Sequence, residues 1–166
     1  MLRPGGVAQS GPMKKLPLPL RLLAGCVLFL AGCSGFDRGV ASVGLSVELT
    51  GIERAADGTV TVAWDLINPN ISPYLLDRVS NKVYLNGTLV GTTLDTARMA
   101  IPAQQTTSKV SRLTTAGPAA ELLIAAAAAK GNAAYRVDTQ LLLRLYDEIT
   151  DKGALTHSGS VPVTGK

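Results

Sequence analysis

Apolar and polar residues alternate along most of this chain, the pattern of strands that bury one face. Leu45, Val47 and Leu49 alternate with Ser46, Glu48 and Thr50, and Val60, Val62, Trp64 and Leu66 with Thr59, Thr61 and Asp65. Asp57-Gly58 between these runs predicts a tight hairpin, and Asn86-Gly87, flanked by Val83, Leu85 and Leu89, predicts a second. Asn and Gly tolerate the positive φ that a type I′ turn demands. Thr106 to Leu113 reads as a further strand, Tyr135 to Leu145 is the longest alternating run, and Leu155 to Val163 closes the set. About seven strands with turn signals between them predict an all-β antiparallel β-sandwich. Trp64, central in its strand, is expected to pack between the layers. Pro118 to Lys130 breaks the alternation: Ala and Leu favour helix, Pro suits the first turn, and Gly131-Asn132 marks the stop. It predicts one short helix capping the sandwich.

The first 33 residues follow a different pattern. Met13-Lys14-Lys15 leads into a Leu/Pro stretch with Arg21, then an apolar core from Leu22 to Ala31, then Gly32-Cys33. Positive start, apolar run and small residues are the three parts of a secretory signal, and the run is too short to span a bilayer permanently. Leu30-Ala31-Gly32-Cys33 resembles the bacterial lipobox, in which the thiol takes a diacylglyceryl group and a peptidase cuts just before it. Leu23-Ala24-Gly25-Cys26 is a second copy, but its use would leave few apolar residues after Arg21 and put Val27 to Ala31 at the mature start. Cys33 is therefore the expected lipidation site. Residues 1–32 are read as a signal peptide that starts either at Met1 or at Met13, residues 1–12 being an upstream extension in the second case. Residues 33–42 are a lipidated tether, and residues 43–164 the domain. Ser34 stands where aspartate would retain a lipoprotein in the inner membrane, so the resemblance implies the outer membrane, facing the periplasm.

Charge then changes one expectation. The chain carries 16 Lys and Arg against 12 Asp and Glu, a balance that suggests nucleic acid until the basic residues are located. Arg3, Lys14, Lys15 and Arg21 all precede Cys33, while every acidic residue follows it. The remaining chain is neutral, and nucleic acid is excluded as an electrostatic partner. Both cysteines, Cys26 and Cys33, lie in the leader, so the domain has no disulfide.

Asn68-Pro69-Asn70, directly after a strand, precedes a polar and aromatic loop and then Val83-Tyr84-Leu85-Asn86-Gly87-Thr88-Leu89-Val90-Gly91. With Ile101-Pro102 before a Thr/Ser/Val strand and the terminal Ser158-Gly159-Ser160-Val161-Pro162-Val163, this resembles the late-embryogenesis-abundant (LEA) type 2, or water-stress and hypersensitive-response (WHy), domain. The resemblance covers nearly all of residues 43–164. It implies an immunoglobulin- or fibronectin-III-like sandwich with one helix, an association with drying and other stress, and no catalytic residue set. Physically, Pro69 ends a ladder because it has no N–H to donate, and the two Asn side chains can bond turn backbone. Asn68, Pro69 and Asn70 are therefore read as shaping a strand exit.

No residue set points to chemistry. His157 is the single histidine, and without cysteine in the domain it makes no usual zinc site. Asp147, Glu148 and Asp151 cluster in a turn but lack the EF-hand spacing and its central glycine. No nucleophile elbow, phosphate loop or dinucleotide fingerprint is present. The expectation is a non-enzymatic module without cofactor or metal, joined to the lipid bilayer through acylated Cys33 and protective or binding in role. The alternative is an accessory that positions another envelope protein through an exposed strand edge.

Overall fold

In the computed structural model, which describes residues 44–144 and 150–165, the alternating runs become strands. In chain order they are β1 (Ser46–Arg54), β2 (Val60–Asn68), β3 (Tyr74–Leu85), β4 (Thr88–Asp95), β5 (Met99–Ile101), β6 (Gln105–Arg112), β7 (Thr114–Thr115), β8 (Asn132–Arg144) and β9 (Thr150–Gly165). Helix α1 (Pro118–Lys130) lies between β7 and β8. The leader, Cys26, Cys33, the tether, Asp147 and Glu148 fall outside the described residues.

Both expected hairpins form. Between β1 and β2 the Ala55 amide donates to Thr59 O (2.8 Å) and Gly58 N to Ala55 O (3.0 Å), while Asp57 Oδ1 accepts from Thr59 N (2.8 Å). Between β3 and β4, Asn86 (φ 47°) and Gly87 (φ 82°) both take positive φ, as a type I′ turn requires.

The segment after Asn70 departs from expectation: strand β3 already begins at Tyr74, where a loop was expected to run on towards Val83. A bulge explains the misreading. Pairing of β3 with β8 shifts between Leu76 and Arg78, so the buried Leu76 and Val79 are three residues apart and the two-residue period is broken. The same device acts in β1, where the register slips between Leu49 and Gly51 and the buried series passes from Leu49 to Ile52.

The strands share one hydrogen-bonded path, β6-β2-β1-β9-β8-β3-β4-β7, with β5 paired to β3 beside it. Every pairing is antiparallel except β1 with β9, which run parallel over Ile52–Arg54 and Val163–Gly165. The all-β class with one short helix is as expected, but the strands make one curled, mixed sheet in place of two separately bonded ones. The curl is visible in side chains. Trp64 on β2 donates from Nε1 to Ser111 Oγ on β6 (2.9 Å), and Ser111 in turn donates to Asp95 on β4. Strands near opposite ends of the path therefore meet across a single core, which includes Val62, Trp64, Leu66, Val83, Val137 and Leu143.

Helix α1 begins with Pro118 in its first turn and ends at Gly131, whose left-handed φ of 81° lets its amide close onto Ala127 O and Ala128 O. It buries Ala120, Ile124 and Ala127. Among the described residues no helix is long and apolar enough to cross a membrane. Close approach also fixes Gly91, whose pairing partner is Thr115 on β7. A Cβ there would run into the carbonyl oxygen of Thr114 on β7, so only glycine lets β7 reach the edge of β4.

Candidate functional site

Three polar constellations stand out against the apolar core. The first is the strand exit. Asn68, at the end of β2, is 1% exposed. Its Nδ2 donates to Ser72 O (2.9 Å) and Pro102 O (3.0 Å), and its Oδ1 accepts from Asn70 N (3.0 Å). Asn70 O accepts from Gln104 N at 3.0 Å. One buried amide thus ties the exit of β2 to the approach of β3 and to the segment between β5 and β6. Pro69 is exposed at the bend. The donors and acceptors of Asn68 are aimed at backbone, not at a cleft.

The second constellation gathers around His157, for which the sequence suggested no zinc site. It sits on β9 opposite Val137 and is half-buried. Its Nδ1 shares a hydrogen bond with the Tyr135 hydroxyl (2.8 Å), and its Nε2 lies 3.9 Å from Glu48 Oε1. The Tyr135 oxygen also accepts from Leu49 N at 3.1 Å. The register of β1 slips just after Leu49, and β1 and β9 pair only from Ile52 onward. The tyrosine hydroxyl fills the gap, with Gly159 leaving room for its ring. Burial raises the Tyr135 hydroxyl above its ordinary value, against the lowering effect of the Leu49 amide. A hydroxyl that holds its proton more tightly is a poorer base and nucleophile. The group works as a clamp over the β1–β9 seam.

The third constellation is Asp77, at the β3 bulge. Arg144 on β8 donates to it from Nε (3.0 Å) and Nη2 (2.7 Å), and Arg98 Nε lies 3.3 Å away. The hydrogen bond from Arg144 is the largest influence holding the Asp77 carboxyl below its ordinary value. Desolvation opposes it, and the charges of Arg144 and Arg98 reinforce it. A carboxyl depressed in the folded state stabilises the fold above its ordinary value near 4, and that stability is lost as pH falls towards the lower folded value. We expect the urea midpoint of the native domain to drop over this acid window, and Asp77→Asn to flatten the drop. Parallel slopes for the two proteins would refute the assignment.

A buried polar row was also missed by the sequence. Asn81 Nδ2 donates to Thr93 Oγ1 (3.0 Å), and Asn81 Oδ1 accepts from Thr139 Oγ1 (2.6 Å), across three neighbouring strands. Asn81 stands where a loop was expected, and the only available signal was the spacing Val79, Asn81, Val83. Trp64 is wholly buried, as its alternation predicts. A shallow groove on the outer face between β1 and β2 is lined by Gly51, Ala63, Val110 and Pro162, with Glu53 as its ionisable neighbour. Among the described residues no group of three His, Cys, Asp or Glu side chains converges. No buried side-chain nitrogen or oxygen there lacks a hydrogen-bond partner.

No protein-family model matches the chain, and no curated protein matches it. Solved structures similar to it include a crystal structure of a protein from Archaeoglobus fulgidus, 10% identical over 71% of this chain and 94% of that one, TM-score 0.44. They also include the solution structure of At2g46140.1, described as a late embryogenesis abundant protein (12% identical, 89% and 84% covered, TM-score 0.42). A third is the solution structure of AT1g01470 from Arabidopsis thaliana (14% identical, 73% and 79% covered, TM-score 0.42). At such identities and scores these likenesses assign neither family nor function.

Proposed function

We propose that the chain is a lipoprotein of the bacterial cell envelope: residues 1–32 are removed, Cys33 carries the lipid, and the β domain behind it is a non-catalytic LEA type 2 module. Its role is to protect or bind neighbouring envelope components under water stress, from the periplasmic face of the outer membrane. The observation that carries this reading is Cys33 itself. It closes a three-part secretory signal in the order Leu30-Ala31-Gly32-Cys33, and no cysteine follows it. Acyl chains contribute about 0.8 kcal/mol per buried CH₂, and two or more on one cysteine give stable attachment where one gives marginal attachment. The family reading rests on Asn68-Pro69-Asn70 and its flanking pattern.

Intact mass of the membrane-extracted protein tests the anchor. The expected species begins at Cys33 and carries the added mass of acyl chains. Cys33→Ser is expected to move the protein from the membrane pellet to the soluble fraction or leave it unprocessed. An unchanged, processed membrane-bound variant would refute the proposal.

A further inference from the structure

Gly44, where the described chain begins, stands against the strand-exit loop: a Cβ built on it would lie 3.0 Å from Asn70 Oδ1. The next residue of that loop, Ile71, is 84% exposed. It is not a loose side chain on a loose loop. Asn68 holds the backbone at Asn70 and Ser72 on either side of it, Gln104 N bonds Asn70 O, and Pro69 and Pro73 fix φ at the flanks. The fold thus holds a bare aliphatic side chain outward, with its backbone already ordered, beside the point where the tether enters.

The tether length decides what such a side chain meets. Residues 34–43 separate Cys33 from Gly44, at most about 40 Å when fully extended. Among the described residues, another large exposed aliphatic is Leu122 on α1, 73% exposed. Helix α1 lies at the far end of β1: Ala128 Cβ is 3.2 Å from the Cβ position of Gly165, and Gly165 pairs with Arg54. Strand β1 runs Ser46–Arg54, about 30 Å at 3.3 Å per residue. The tether joins the domain at the end bearing Ile71, so an anchor at Cys33 would bring that end nearest the lipid, and not the end bearing Leu122.

Resting on the Cys33 anchor, we propose that the Asn68–Pro73 loop is a membrane-docking tip whose Ile71 enters the interfacial layer of the bilayer and sets the orientation of the domain. A single aliphatic side chain would not hold a free protein on a membrane. Tethering supplies the high local concentration at which one preordered side chain suffices. In this reading the buried Asn68 amide presents Ile71 as well as ending a strand.

The test uses the acylated full chain in vesicles of phosphatidylethanolamine and phosphatidylglycerol. Cys26 leaves with the leader and Cys33 is acylated, so Ile71→Cys and Leu122→Cys each provide one free thiol for a bimane label. Quenching by a shallow spin-labelled lipid is expected to be at least threefold greater at position 71 than at position 122. Equal quenching, stronger quenching at 122, or a shielded label at 71 that lipid does not quench would overturn the proposal. The last result would point to a protein partner. Mass of the same preparation separates the failures. An acylated, vesicle-bound protein without quenching at 71 refutes the docking tip alone, whereas an unacylated Cys33 refutes the anchor and the tip together.

Discussion

Trp64→Ala is expected to cost about 3–5 kcal/mol of folding stability, the range for removing a fully buried large aromatic. The indole is wholly shielded in the core and also ties strands from distant parts of the sheet path through Ser111 and Asp95, the latter paired with Lys109 at 3.2 Å. Trp64→Phe separates the two contributions. It keeps most of the apolar volume but loses the Nε1 donor, while Ser111 can still donate to Asp95, so its loss should be near 1 kcal/mol. Because Trp64 is the only tryptophan, urea unfolding is best followed by far-ultraviolet circular dichroism. A loss below about 1 kcal/mol for the alanine variant would show that Trp64 is not central to the core.

Asn68→Ala is expected to cost about 2–4 kcal/mol, since two carbonyls and one amide lose their partner together. Asn68→Asp gives a sharper test. Its carboxylate still accepts from Asn70 N but turns a second negative oxygen towards the carbonyls of Ser72 and Pro102, so at neutral pH it should be no better than alanine. Protonation restores one donor, and part of the loss should therefore be recovered as pH falls towards the carboxylate range. An aspartate variant as stable as the native protein at neutral pH would mean that the two carbonyl contacts contribute nothing.

The sequence showed where most strands and the helix lie because their signals are local. Val60 to Leu66 alternates without interruption, Asn86-Gly87 can hardly be anything but a turn, and Pro118 with Gly131 brackets α1. It failed where geometry depends on partners far along the chain. The bulge at Asp77 is set by pairing with β8 and hides the first half of β3. Strands β5 and β7 are three and two residues long, too short for any period to register. His157 is polar and lies among polar neighbours, so nothing local reveals that Tyr135 stands beside it; that contact exists only through the β8–β9 register. Asn68 was the reverse case. Its role as a strand exit could be inferred from residue chemistry alone, although the acceptor at Pro102 could not.

The parallel contact of β1 with β9 has a consequence for how the molecule comes into being. Ile52 meets Val163, so the seam joins two strands that lie far apart in the sequence. Strand β1 therefore meets this neighbour only after the strands between them in the sequence have been placed. Until then one flank of β1 has no permanent companion and the core stays unsealed. Such long-range closure belongs to the slower class of folding reactions, on the order of milliseconds to seconds. Strand β9 therefore acts as a latch, and β1 is open to unwanted strand pairing until that latch closes.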